Sequence, residues 1–147
     1  MKQMILTLAV ALSSVFAFAG EENANVKSEV LNAFNNEFAT AKEVKWTTTE
    51  AYYKADFVFN NQYIAAYYTM TGELMGITKN ISSLDLPVSL QAKLKKDYSK
   101  YWISELFELS NNDGTTYYVT LENADKKIIL KSTGSNNWNV FKKVVKA

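Results

Sequence analysis

One pattern occurs twice in this chain, and it constrains the fold more than any single residue. Val30 to Gly72 runs through a helical stripe with Phe34 and Phe38, then Trp46, a tyrosine-rich strand pair and Thr71-Gly72. Leu90 to Gly134 runs through a stripe with Leu94 and Tyr98, then Trp102, Tyr117-Tyr118, another strand and Thr133-Gly134. The Phe34-to-Gly72 and Leu94-to-Gly134 spacings differ by two residues, which a hairpin loop absorbs. Repeats of this sort are one supersecondary unit stacked on its copy, because one copy alone cannot bury its own apolar face. The competing reading is that any two helix-plus-hairpin segments align this loosely.

Residues 1–19 are set aside as an export signal. Lys2 supplies the positive start, Met4 to Val15 the apolar run, and Ala17-Phe18-Ala19 the small-residue cleavage site. The run is shorter than the ~20 residues a spanning helix needs, and Glu21-Glu22 closes it. The mature chain is expected to begin at Gly20. With no cysteine, a lipid anchor and a disulfide framework are both excluded. A cysteine-free exported chain of this kind is expected in the periplasm or outside the cell.

Every cation is a lysine, and loss of Lys2 leaves the mature chain neutral. Without arginine or a basic surplus, neither nucleic acid nor an anionic membrane is an expected partner. A half of about 60 residues buries only about 60% of its unfolded surface, against nearer 70% at about 150 residues. The two halves are therefore predicted to share one domain, 20–147, with repeats at about 26–79 and 86–145.

Val26, Val30, Phe34 and Phe38 recur every four residues, and Leu31 widens the stripe, which predicts a helix to about Thr40. Asn23 or Asn25 is its expected cap. Val44, Trp46 and Thr48 alternate as a strand. Tyr53 to Phe59 and Gln62 to Met70 flank Asn60-Asn61, a tight-hairpin signal, and Glu73 to Lys79 follows. Leu86-Pro87 opens the second helix, with Asp85 as its expected cap. Strands follow at about Ile103 to Leu109, Thr115 to Glu122, Lys127 to Lys131 and Trp138 to Val145. The phase of the first is ambiguous, since either face buries a glutamate or exposes Phe107.

The chain holds no His and no Cys, so Ser-His-Asp, Cys-His and histidine or thiolate metal chemistry are absent. Its five glycines are scattered, unlike a phosphate loop. Asn111-Asn112-Asp113-Gly114 lacks the later acidic ligands of a calcium loop and is read as a turn. Glu105 with Glu108, and Asp56 near Lys54, are read as surface charges. The expectation is a protein that is not an enzyme and carries no cofactor or metal.

The aromatic residues are the positive signal: nine Tyr, three Trp and eight Phe, with tyrosine concentrated in strands. If Phe57, Phe59, Ile64, Ala66 and Tyr68 face the helices, alternation puts Tyr52, Lys54, Asp56, Tyr63 and Tyr67 on the other face. Tyr118 and Thr120 are their counterparts in the second half. Helices cover only one side of such a sheet, so the second side is predicted to meet water or a partner. Tyrosine is enriched in recognition surfaces. It is also a good strand residue that stabilises a sheet with no ligand, and both readings stay open here.

Val44-Lys45-Trp46, Tyr53-Lys54-Ala55-Asp56-Phe57, Ala66-Tyr67-Tyr68 with Thr71-Gly72, and Leu86-Pro87 resemble the secreted PepSY-like, or β-lactamase-inhibitor-like, proteins of Bacteroidetes. The likeness spans about Val26 to Val145. Ala39 stands where a proline often follows the helix aromatic, and Thr69 where an aspartate often follows the strand tyrosine. The resemblance implies an α+β fold: a tandem helix plus four-stranded antiparallel unit, forming one continuous sheet with helices on one face and the other face open. It also implies an inhibitor-like module that docks another extracytoplasmic protein there. A small-ligand or glycan carrier is the alternative, since the same aromatics stack on sugars.

Overall fold

The computed structural model describes residues 25–134 and 136–147; the predicted signal and Asn23 lie outside them. The elements are α1 (Ser28–Glu37), β1 (Lys42–Thr48), β2 (Tyr53–Phe59), β3 (Gln62–Tyr68), β4 (Leu74–Asn80), a 3-10 turn (Ser83–Asp85), α2 (Val88–Asp97), β5 (Trp102–Asn111), β6 (Gly114–Glu122), β7 (Lys126–Ser132) and β8 (Asn139–Val145). This is an α+β fold with an open antiparallel sheet of eight strands, lying in chain order from β1 to β8. Two compact units are distinguished, one through Asn61 plus Ala65–Met75, the other Gln62–Ile64 plus Gly76–Ala147.

In the first unit the aromatic stripe of α1 packs on one face of its strands. The Phe34 ring lies 5.2 Å from Trp46 and 4.9 Å from Phe57, both edge-on. Phe38 lies 4.8 Å from Phe57 and 5.5 Å from Phe59, and Trp46 meets Tyr68 at 6.2 Å. Burying each such side chain contributes about 1.5–3 kcal/mol, so this cluster fixes which face of β1–β3 looks at the helix. Asn60 and Asn61 both have positive φ, 50° and 62°, which the predicted β2–β3 hairpin requires. Gly72 has φ +93°, and a Cβ there would stand 3.3 Å from the Glu29 carbonyl oxygen. The helix departs from expectation at both ends. It stops at Glu37, and its N-cap is Lys27 with no side-chain hydrogen bond, while Asn25 sits at φ 54° ahead of it.

In the second unit Leu90 and Leu94 of α2 pack against Leu106, Val119, Leu121 and Leu130. Trp138 Nε1 donates to the Leu90 carbonyl at 3.1 Å and ties the approach to β8 onto the helix. Asp85 does not cap α2. Its carboxylate accepts from Ser82 N–H at 2.9 Å while the Ser82 hydroxyl accepts from Leu84 N–H, so the pair caps the 3-10 turn, and Pro87 takes the N-cap position of α2. A competing local turn two residues upstream captured the acidic side chain.

The ambiguous phase of β5 is resolved by a bulge between Ile103 and Glu105. Beyond it Leu106 faces α2, whereas Phe107 lies on the other side stacked on Tyr118 at 5.1 Å. Glu108 is paired with Lys79 at 3.1 Å. Apolar side chains therefore lie on both sides of β5, Leu106 on one and Phe107 on the other.

The hydrogen bonds around the two helices recur. Val30 and Leu31 N–H donate to Lys27 O, and Leu90 and Gln91 N–H to Pro87 O. Phe38 N–H donates to Phe34 O and Ala41 N–H to Phe38 O; Tyr98 donates to Leu94 O and Tyr101 to Tyr98 O. Each second-unit residue lies 60 positions after its counterpart. At that offset Trp46 corresponds to Leu106, and the expected match of Trp46 with Trp102 fails. Trp46 is buried, whereas Trp102 is exposed at the start of β5.

Candidate binding face

Strand alternation places four of the predicted site residues on the side of the first unit turned from α1. The Tyr52 and Tyr67 rings meet edge-on at 5.5 Å, and Lys54 Nζ lies 5.9 Å from the Tyr67 ring centre. Asp56, two residues along the same strand face, pairs with Lys54 at 3.3 Å. The ammonium therefore rests against an aromatic ring and a carboxylate together, an arrangement in which cation–π attraction adds to the ion pair.

In the second unit Tyr118 sits between Phe107 and Phe141, the latter edge-on at 5.6 Å. Lys131 Nζ stands 5.8 Å from the Tyr118 ring and 5.9 Å from Phe141. Thr120 follows Tyr118 on the same face and is buried. Each unit thus presents a lysine over aromatic rings on the side away from its own helix. Phe107, Lys131 and Phe141 were not among the predicted residues. Phe107 was hidden by the β5 bulge, and Lys131 and Phe141 become neighbours of Tyr118 only through the pairing of β6 with β7 and of β7 with β8.

Accessibility is uneven among these residues. Tyr67 is 0% and Tyr118 2% exposed, Lys54 is also buried, and Tyr52 and Asp56 are partly covered. Tyr63 is 71% exposed and has no ring contact among the described residues. Burial raises the phenol pKa of Tyr52 and of Tyr118 above the ordinary tyrosine value. Both stay neutral and able to donate a hydrogen bond at physiological pH. Among the described residues no group of His, Cys, Asp or Glu is placed to hold a metal ion, and no helix is long and apolar enough to cross a membrane.

Solved structures share this fold. A BLIP-like protein from Bacteroides fragilis NCTC 9343 superposes with TM-score 0.67 at 17% identity, over 83% of this chain and 87% of that one. A Bacteroides eggerthii DSM 20697 protein, named as periplasmic, gives TM-score 0.73 at 16% identity over 83% and 90%. A DUF2874 family protein from Bacteroides ovatus ATCC 8483 gives 0.72 at 16% over 84% and 89%. At such identities the likeness is one of fold. No family model and no curated protein sequence matches the chain.

Proposed function

We infer that this chain is an exported, non-enzymatic binding module that takes a protein partner on the side of its strands turned from the helices. The observation that carries the reading is the accessible part of these faces: Tyr63 is 71% exposed, and Tyr52, Asp56, Lys131 and Phe141 are partly exposed, with buried Tyr67 and Tyr118 as the rigid aromatic base against which Tyr52, Lys131 and Phe141 rest. Rigid aromatic area combined with a directed charge is what protein-recognition surfaces use. The BLIP-like and periplasm-named fold neighbours support an inhibitor-like role outside the cytoplasm. The recurring helix bonds at a 60-residue offset support two repeats, as the PepSY-like resemblance implies.

The test uses the mature chain as bait in a periplasmic extract, followed by affinity measurements on the protein recovered. Tyr52→Ala, Tyr63→Ala and Lys54→Met are expected to weaken that affinity while leaving the unfolding midpoint nearly unchanged for Tyr63→Ala. Unchanged affinity in all three refutes the face. A thermal upshift with free sugars, and none with any protein, moves the assignment to the glycan-carrier alternative.

A further inference from the structure

The last 22 residues, Lys126 to Ala147, hold six lysines and no aspartate or glutamate, although the mature chain as a whole is neutral. These residues form β7 and β8, and β8 ends the strand order. Its outer backbone N–H and C=O groups have no strand partner among the described residues. Val140 and Val145 are 60% and 72% exposed, and Val144, Lys142 and Lys143 are exposed between them. Of the six lysines, only Lys146 has a salt-bridge partner, Glu122, among the described residues.

We propose that β8 is a docking edge that accepts an extended acidic polypeptide segment as an added strand. Strand addition draws its affinity from main-chain hydrogen bonds and its selectivity from alternate side chains. Here exposed valines offer apolar contact on both faces, Val140 and Val145 on one and Val144 on the other, and Lys142 and Lys143 offer positive charge on opposite faces. The register requires this, because the bulge between Ile129 and Leu130 leaves Lys142 opposite Ile129 and Lys143 opposite Ile128. Lysines on an edge repel basic strands and are costly to desolvate against neutral ones, and so discourage aggregation; the same charges select an acidic strand. A second copy of this chain is a poor occupant. Antiparallel pairing of β8 with itself sets lysine against lysine, and the β1 edge brings Lys42 and Lys45. A surface that merely attracts polyanions has no use for a free backbone row bordered by valines.

The probe is the peptide acetyl-Val-Glu-Val-Asp-Val-Glu-Val-amide, titrated into the isotope-labelled mature protein. Perturbed amides are expected along β8, with weaker binding as salt rises. Lys142→Glu with Lys143→Glu is expected to cost about tenfold in affinity. N-methylation of alternate peptide amides is expected to abolish binding without any change to the protein, which keeps the test valid should the double variant fold poorly. The proposal is overturned if no β8 amide responds, or if the N-methylated peptide binds equally. Equal binding by dextran sulfate or phosphatidylglycerol vesicles, or a concentration-dependent dimer through β8, overturns it as well.

Discussion

Lys146 Nζ lies 5.1 Å from the centre of the Trp102 ring and 3.2 Å from Glu122 Oε1. The same ammonium donates to Asn123 O, and Lys146 N–H donates to Asp125 O, both at 2.8 Å. One residue beyond β8 thus fastens that strand to the turn before β7 and to the start of β5.

Lys146→Met should loosen this end of the sheet, seen as faster hydrogen exchange at the β8 amides, with the core amides unchanged. The Glu122 carboxyl is held below its ordinary value, first by the Ser104 hydroxyl and next by Lys146. A depressed carboxylate adds stability above its unfolded-state pKa and loses it as pH falls through the folded value. Both Ser104→Ala and Lys146→Met should therefore raise the Glu122 midpoint in an NMR titration and flatten the acid side of the stability curve. An unmoved Glu122 would show that these contacts do not form in solution.

Phe34→Ala removes the ring that touches Phe38, Trp46 and Phe57 together. Urea unfolding should report a loss of about 3–5 kcal/mol, against under about 1.5 kcal/mol for a volume-conserving swap such as Leu121→Met. A small effect at Phe34 would mean that α1 is not docked on β1–β3 as described.

Gly72→Ala combines positive φ with a Cβ set 3.3 Å from the Glu29 carbonyl. Gly114→Ala has positive φ but open space around it. Both substitutions should destabilise, by about 1 kcal/mol or more for the backbone strain alone, and Gly72→Ala should be the worse of the two. Thermal melts of the pair decide the order.

Tyr68 is fully buried on the helix side, and its hydroxyl finds no hydrogen-bond partner among the described residues. A buried unpaired polar group costs stability, so Tyr68→Phe should be neutral or stabilising at pH 7, unlike most core substitutions. Burial and, secondarily, Glu37 raise the Tyr68 phenol above its ordinary value. A raised folded pKa gives stability that is complete below the unfolded value near 10 and is lost as pH rises above it. Tyr68→Phe should lessen that alkaline loss, measured as the urea midpoint at pH 8 and pH 11.

Much of the architecture was legible because it follows from short-range periodicity. The four-residue spacing of Val30, Phe34 and Phe38 could bury one side only as a helix. Strict alternation through Tyr53 to Phe59 put Phe57 and Phe59 on the helix side and Lys54 on the other, as the ring contacts show. Asn60-Asn61 announced its turn because few residue pairs tolerate two positive φ values. Alternation failed where the backbone inserts an extra residue. The bulge in β5 turned the Phe107 side over, and no local property of Ile103-Ser104-Glu105 marks it. Trp46 and Trp102 share a residue type but not an environment, one buried under α1 and the other exposed at the start of β5, and the helix-end hydrogen bonds recur at an offset that does not match them.

The sequence by itself determined the helix stripes, the strand faces, the tight turns and the want of histidine and cysteine chemistry, since each depends on residues a few positions apart. Only the tertiary structure decided that Lys131 and Phe141 join Tyr118, that Asp85 serves Ser82, and that the lysine-rich end of the chain forms the sheet's last edge. Those facts depend on strand register and on backbone groups competing for partners, which are settled by packing between segments distant along the chain.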